Sequence, residues 1–90
     1  MNKGIFLVMK WLDDKNSVSA QQRKAAIDAA HAVFDAYDSD HAVPKCFAAY
    51  LFAVHAAHDA EAVYAEEMVN EYFKVRGENK KKYSQLLTGI

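Results

Sequence analysis

Between Ser19 and Asp40 apolar and polar positions recur with a helical period. Residues on one side recur at three- and four-residue spacing: Arg23, Ala26, Ile27, Ala30, Val33, Phe34 and Tyr37. Polar residues occupy the other side: Lys24, Asp28, His31 and Asp35. Ser19 and Gln22 have the spacing of a capping box, in which each side chain bonds the other residue's backbone N–H. The pattern predicts an amphipathic helix that starts after Ser19 and ends in the turn-rich Asp38-Ser39-Asp40.

Pro44 is placed in the first turn of a second predicted helix, where its missing N–H is tolerated. The segment from Phe47 to Ala57 is apolar nearly all round. Phe52 points well away from the face that contains Tyr50, Leu51 and Val54. A helix that is apolar on both sides is central to its fold or shared with a neighbouring chain. We therefore expect this helix to be central, or to mediate self-association.

The apolar pattern changes near His58, where we predict a break between helices. Asp59 and Glu61 suit a helix start, because acidic side chains complement the helix dipole there. Gly77 is a typical helix terminator. A third helix is therefore predicted from about Ala60 to Arg76. Its apolar stripe is Ala65, Met68, Val69, Tyr72 and Phe73.

Two flanking segments complete the chain. Residues Ile5 to Leu12 fit either a short helix or an extended arm, whereas the end of the chain fits a short amphipathic helix that carries Tyr83, Leu86, Leu87 and Ile90. No segment alternates with the two-residue period of a strand. A chain of 90 residues corresponds to one domain. We predict an all-α fold, a compact bundle of three main helices with short N- and C-terminal flanking helices over residues 1–90.

Composition and charge narrow the classes of function. The chain is 52% hydrophobic and 26% charged, with a net charge of −1. These values are typical of a folded protein, and they give no overall field that would attract nucleic acid or an anionic membrane. The single cysteine, Cys46, suits a reducing compartment. The apolar N-terminal run is too short for a signal peptide or a membrane span, so we predict a cytoplasmic protein.

Motifs of common enzyme classes do not occur in the sequence. It contains no Gly-rich phosphate loop, no zinc-protease motif and no serine-hydrolase elbow. We therefore predict a binding protein that is not an enzyme and uses no cofactor. Large rings dominate the hot spots of protein interfaces. The candidate partner-binding residues are Trp11, Phe52, His55 and Tyr64.

Histidines support an alternative, metal-binding hypothesis. His55 and His58 lie three residues apart, next to Asp59. A second set lies on one face of the first long helix: Asp28, His31 and Asp35. If a hairpin brought the two sets together, their imidazole and carboxylate groups would suit zinc or iron. Polar residues on an outward face need no ligand, however, and the prediction is that no metal is bound.

A basic cluster supports a second alternative. Lys80, Lys81 and Lys82 precede Tyr83, so a phosphate could meet the ammonium groups while a base stacks on the ring. The chain would then be an oligomeric sponge that sequesters a nucleotide signal. Because lysine lacks the forked geometry of arginine, such a cluster binds phosphate loosely. A solvated charge cluster also explains these residues.

Two stretches of sequence carry a resemblance to a known family. The first is Lys10-Trp11-Leu12-Asp13-Asp14-Lys15-Asn16-Ser17-Val18-Ser19, and the second is Asn70-Glu71-Tyr72-Phe73 with Gly77-Glu78-Asn79-Lys80. After Met9 the chain resembles the small alanine-rich helical accessory proteins of T-even-type tailed phages. The resemblance implies a protein that works in the host cell cytoplasm. There it would occupy a host bacterial protein or a defence component, and thereby act as an inhibitor.

Overall fold

Five α-helices follow one another along residues 1–36 and 44–88, which are the residues that the computed structural model describes. They are α1 (Lys3–Asp13), α2 (Ala20–Asp35), α3 (Lys45–His58), α4 (Ala62–Arg76) and α5 (Lys80–Leu87). No strand occurs in these residues, and the prediction of an all-α fold is confirmed. Tyr37, the predicted turn at 38–40 and Ile90 lie outside the described residues.

The predicted capping box is present at the start of α2. The backbone N–H of Gln22 donates to Ser19 Oγ at 3.1 Å, and the N–H of Ser19 donates to Gln22 Oε1 at 2.8 Å. Pro44 differs slightly from its predicted place, because it is the N-cap residue immediately before α3. Its carbonyl accepts the N–H of Phe47 at 3.0 Å. Both helices therefore begin with local contacts that are visible in the sequence.

The predicted break near His58 is also present. α3 ends at His58, and Ala60 adopts a left-handed backbone conformation with φ of 60° before α4 begins. At the other end of α4, Gly77 has φ of 77°. A residue with a left-handed conformation commonly ends a helix, and glycine adopts it without steric cost. Two left-handed positions thus set the bounds of α4.

α3 is the central helix, because it packs against α1, α2 and α4. It buries three large side chains, Phe47, Tyr50 and Val54, together with Ala49, Ala53, Ala56 and Ala57. Small alanine side chains let neighbouring helices approach closely. The facing stripe of α4 is the predicted one, with Ala65, Val69, Tyr72 and Phe73 buried and Met68 packed against the core.

α1 is the predicted N-terminal flanking helix, and its apolar face lies in the core. Ile5 and Val8 are fully buried, and Met9 is nearly so. Gly4 lies so close to Tyr50 that a Cβ atom at this position would overlap the tyrosine ring. The N-terminal segment is therefore a helix and not an extended arm, and it fills the space between α2, α3 and α4.

α2 lies at the edge of the bundle. Ala30 is its one buried residue, while Ala26 and Ile27 are partly buried against the core. Val33 and Phe34 were predicted on the apolar stripe, yet they are 47% and 42% exposed. The described part of the chain contains no helix with the length and apolar character needed to cross a membrane.

Candidate functional site

Phe52 and Tyr64 are large rings that the fold leaves on the outside of the α3–α4 hairpin. Phe52 is 49% exposed, although α3 is the central helix and buries its other large rings, Phe47 and Tyr50. Tyr64 is 40% exposed on α4. Both residues were predicted as partner contacts from their positions off the core stripes. The structure places them where another molecule can reach them.

Acidic side chains border Tyr64 on α4. Met68, Glu71 and Val75 follow it at four, seven and eleven residues, so they lie on one stripe of the helix. Glu67 lies beside this stripe. Glu67 and Glu71 are exposed, and neither forms an ion pair with another described residue. We give the name hairpin surface to the set Phe52, Tyr64, Glu67, Met68, Glu71 and Val75. On α4 this set places apolar side chains beside two glutamates that have no ion-pair partner among the described residues.

Trp11, also predicted as a partner contact, is a core residue. Its side chain is 3% exposed. Arg23 covers one part of the indole, with its guanidinium carbon 5.5 Å from the ring centroid. The same guanidinium donates through Nη1 to the carbonyls of Ala57, at 2.7 Å, and His58, at 3.2 Å. Arg23 therefore links Trp11 of α1 to the end of α3, and Trp11 is too deeply buried for a partner to reach it.

The lysine cluster and Tyr83 face different surroundings. Lys80, Lys81 and Lys82 are exposed, and Lys80 Nζ donates to the side-chain oxygen of Asn70 at 2.7 Å. Tyr83 is 3% exposed, and its ring packs edge-on against Phe73 with centroids 4.8 Å apart. A buried ring cannot stack on a base. The predicted nucleotide site therefore lacks its aromatic half.

Four of the six predicted metal ligands form two separate pairs. His58 Nδ1 lies 3.5 Å from Asp59 Oδ1, in a contact between neighbours in sequence. His55 instead meets His31 of α2, with the two Nε2 atoms 3.0 Å apart. Within residues 1–36 and 44–88, no group of three or more His, Cys, Asp or Glu side chains is placed to hold a metal ion. The α2–α3 packing has thus joined one histidine from each predicted set.

A polar cluster around Glu78 was not predicted. Its carboxylate accepts from the hydroxyl of Tyr83 at 2.5 Å, from the hydroxyl of Tyr72 at 3.2 Å and from Arg76 Nε at 3.4 Å. The Tyr83 hydroxyl in turn accepts the backbone N–H of Asn2 at 2.7 Å. The cluster therefore ties the start of α1 to the α4–α5 connection. No local pattern could have revealed the contact between Asn2 and Tyr83, because these residues are 81 positions apart.

Hydrogen bonding and burial shift the pKa values of this cluster in opposite directions. The hydrogen bond from Tyr83 lowers the pKa of Glu78, because it favours the ionised carboxylate. Burial, followed by the hydrogen bond to Glu78, raises the pKa of Tyr83. Burial and the charge of Glu78 raise the pKa of Tyr72. An ionised acid bonded by two neutral phenols is thus the favoured state.

A cavity of about 450 Å³ lies beside this cluster. Its lining combines apolar and polar side chains, among them Tyr50, Tyr72, Arg76, Glu78 and the thiol of Cys46. Perturbed groups beside a cavity are common at binding sites. Here, however, Glu78 already binds Arg76 and both phenols. The hydrogen bonds of the cluster explain its structural role without a ligand.

No protein-family model matches this sequence, and no match was found among curated proteins or solved structures. The choice between candidate sites therefore rests on the geometry and chemistry of the chain itself.

Proposed function

We propose that this chain is a non-enzymatic binding protein whose hairpin surface docks onto another protein. The observation that carries the proposal is the half-exposed ring of Phe52 on the most central helix of the fold. Burial of an exposed aromatic ring against a partner lowers the free energy, because the ring is removed from water. Aromatic residues accordingly dominate interface hot spots. Phe52 and Tyr64 are the proposed anchors.

The chemistry of the hairpin surface specifies its partner. An apolar recess is needed to accept the rings of Phe52 and Tyr64. Basic side chains around that recess would match Glu67 and Glu71, which have no ion-pair partner among the described residues. Complementary charge of this kind mainly accelerates association and is weakened by salt. We therefore propose a partner with an apolar, basic-rimmed surface.

The resemblance to phage accessory proteins suggests which proteins to test. A host bacterial protein or defence component, blocked at a functional surface in the cytoplasm, is the proposed partner. A second copy of the chain is another possible occupant, since the two-sided apolar character of α3 also suits self-association. Sedimentation equilibrium distinguishes these cases, because self-association through this surface predicts a larger wild-type species that Phe52→Glu converts to a smaller, still helical one.

Comparative capture from bacterial lysate tests the proposal. Wild-type protein, Phe52→Glu and Tyr64→Ala are immobilised at equal density, and the retained proteins are quantified. Leu86→Glu is the matched control, because Leu86 is 52% exposed but lies on α5, outside the hairpin surface. We expect a protein retained in near-equal molar amount by wild type and Leu86→Glu and lost with Phe52→Glu. Retention should also fall as salt rises.

The stability of each variant must be measured in parallel. Phe52→Glu changes an exposed side chain, so its free energy of unfolding should stay close to that of the wild type. If all three variants retain the same proteins as the wild type, the hairpin surface is not the binding surface. The same conclusion follows if Leu86→Glu alone loses the partner.

A further inference from the structure

One cross-helix contact has the donor chemistry of a metal site. His31 on α2 and His55 on α3 approach with their Nε2 atoms 3.0 Å apart, and their rings lie edge-on at 85° with centroids 5.1 Å apart. His31 is exposed and His55 is half-buried, so solvent and dissolved ions can reach the pair. The residues are 24 apart in sequence, and only the packing of α2 on α3 joins them.

We propose that His31 and His55 together bind a divalent transition-metal ion of the zinc, nickel and copper class. Imidazole nitrogen suits these ions. With metal–nitrogen bonds of about 2.0–2.1 Å, two nitrogens on one ion lie about 3.3 Å apart in tetrahedral geometry and about 2.9 Å apart at the right angle of octahedral geometry. The observed separation thus needs only a small side-chain adjustment. Water would fill the remaining coordination positions.

Metal binding requires the shared proton of the two histidines to move. In the contact between two neutral rings, one Nε2–H donates to the lone pair of the other Nε2. When a metal ion binds both nitrogens, that proton moves to Nδ1 of the same ring, so two neutral imidazoles bind the ion without net proton loss. A protonated ring must release its proton first, and affinity therefore falls in acid.

Neighbouring carboxylates favour a cation at this place. Asp28 and Asp35 lie three residues before and four residues after His31, so both are on its side of α2. Asp28 is 3.4 Å from Lys24 Nζ in an exposed pair. A third ligand from either aspartate would need a change of rotamer, because neither completes a group of three in the described residues.

A metal ion bound by both histidines would cross-link α2 and α3 and stabilise their packing. α2 buries one residue, Ala30, and is therefore the helix with the least core contact among the four long ones. An ion that binds only the folded protein raises its stability in proportion to the logarithm of its concentration. Neither histidine is among the residues that define the hairpin surface, so different variants test the two proposals.

Titration with Zn²⁺, Ni²⁺ and Mg²⁺ tests the proposal. Cys46→Ser is the parent protein, so that the thiol does not compete as a ligand. Binding is followed by the thermal midpoint and by the imidazole proton signals in NMR. We expect Zn²⁺ and Ni²⁺ to raise the midpoint and shift the signals of His31 and His55, while Mg²⁺ does neither. Excess chelator should restore the midpoint of the metal-free protein.

Single substitutions locate the site. His31→Ala and His55→Ala should each weaken Zn²⁺ binding roughly tenfold or more, since loss of even an outer-shell contact has effects of this size. His58→Ala is the matched control, because His58 is on the same helix as His55 but contacts Asp59 instead. Should His31→Ala fold poorly, His31→Gln tests the same ligand with a more conservative change.

Three results would overturn the proposal. The first is no midpoint shift or NMR shift with either Zn²⁺ or Ni²⁺. The second is equal loss of affinity in His58→Ala and His55→Ala, which would indicate a different site on α3. The third is unchanged affinity in His31→Ala. None of these results bears on the hairpin surface, so the two proposals fail separately.

Discussion

α1 and α2 differ in how clearly the sequence marks them as helices and in how deeply they are buried. α2 has the clearer start in the sequence, with a complete capping box, yet it buries Ala30 alone. α1 is shorter and its sequence fits two conformations, yet it buries Ile5, Val8, Met9 and Trp11. A capping box indicates where a helix starts. How deeply a helix is buried depends on where the other helices lie.

Truncation of equivalent side chains should reveal the largest difference between the two helices. Ile5→Ala removes a fully buried side chain and should lower the free energy of unfolding by about 2–5 kcal/mol, through lost burial and a residual cavity. Ile27→Ala on α2 is the matched variant, and its effect should be clearly smaller because Ile27 is only partly buried. Urea unfolding of both variants measures the difference. Equal losses would show that α2 is as deeply packed as α1.

The Glu78 cluster offers a second test, because it fixes the start of α1. Tyr83→Phe removes the hydroxyl that donates to Glu78 and accepts from Asn2. We expect a loss of about 1.5–3 kcal/mol, the usual range for a hydrogen bond to a charged group. Tyr64→Phe on the exposed face of α4 is the control and should change the stability little.

The same cluster predicts a dependence on pH. In the folded protein the pKa of Glu78 lies below its ordinary value, chiefly because Tyr83 donates to its carboxylate. Its contribution to stability is therefore present above the ordinary pKa of glutamate and is lost as pH falls through the lowered value. Glu78→Gln should be less stable than wild type at neutral pH, and the difference should shrink in acid. A constant difference would show that ionisation of Glu78 does not matter.

Substitutions to and from glycine test whether helix propensity or side-chain packing decides the stability at a given position. Because alanine has the higher helix propensity, Gly4→Ala should stabilise the helix by up to about 1 kcal/mol. The new Cβ would, however, overlap the ring of Tyr50. Overpacking typically costs about 1–3 kcal/mol, so we expect a net loss of stability. In α2, the exposed position 25 should follow propensity alone, and Ala25→Gly should cost about 1 kcal/mol. Stabilisation by Gly4→Ala would mean that α1 can shift away from α3.

The cap of α2 gives a local test of the same contrast. Ser19→Ala leaves the backbone N–H of Gln22 without its acceptor. The expected loss is about 0.5–2 kcal/mol, the usual range for such a cap. Because α2 has little buried surface, hydrogen exchange of its first-turn amides should quicken more than that of α1. Unchanged urea melts would show that another residue serves as the effective cap.

These contrasts explain what the sequence could and could not predict. Ser19, Gln22 and the break after His58 were predictable because capping and helix termination act over a few residues. The off-stripe positions of Phe52 and Tyr64 also followed from helical spacing. The burial of Trp11 and Tyr83 did not, since it depends on Arg23 and Phe73 from other helices. The meeting of His31 with His55 likewise required the packing of α2 on α3.

The central claim is that Phe52 marks a docking surface, and site-specific photo-crosslinking tests it most directly. A photoreactive amino acid replaces Phe52 in one protein and Leu86 in another, because both side chains are about half exposed. Each protein is irradiated in bacterial lysate at low salt, and the adducts are identified by mass spectrometry. We predict one dominant protein adduct at position 52 that is absent at position 86. The same weak adducts at both positions, or a dominant adduct at position 86 alone, would contradict the claim.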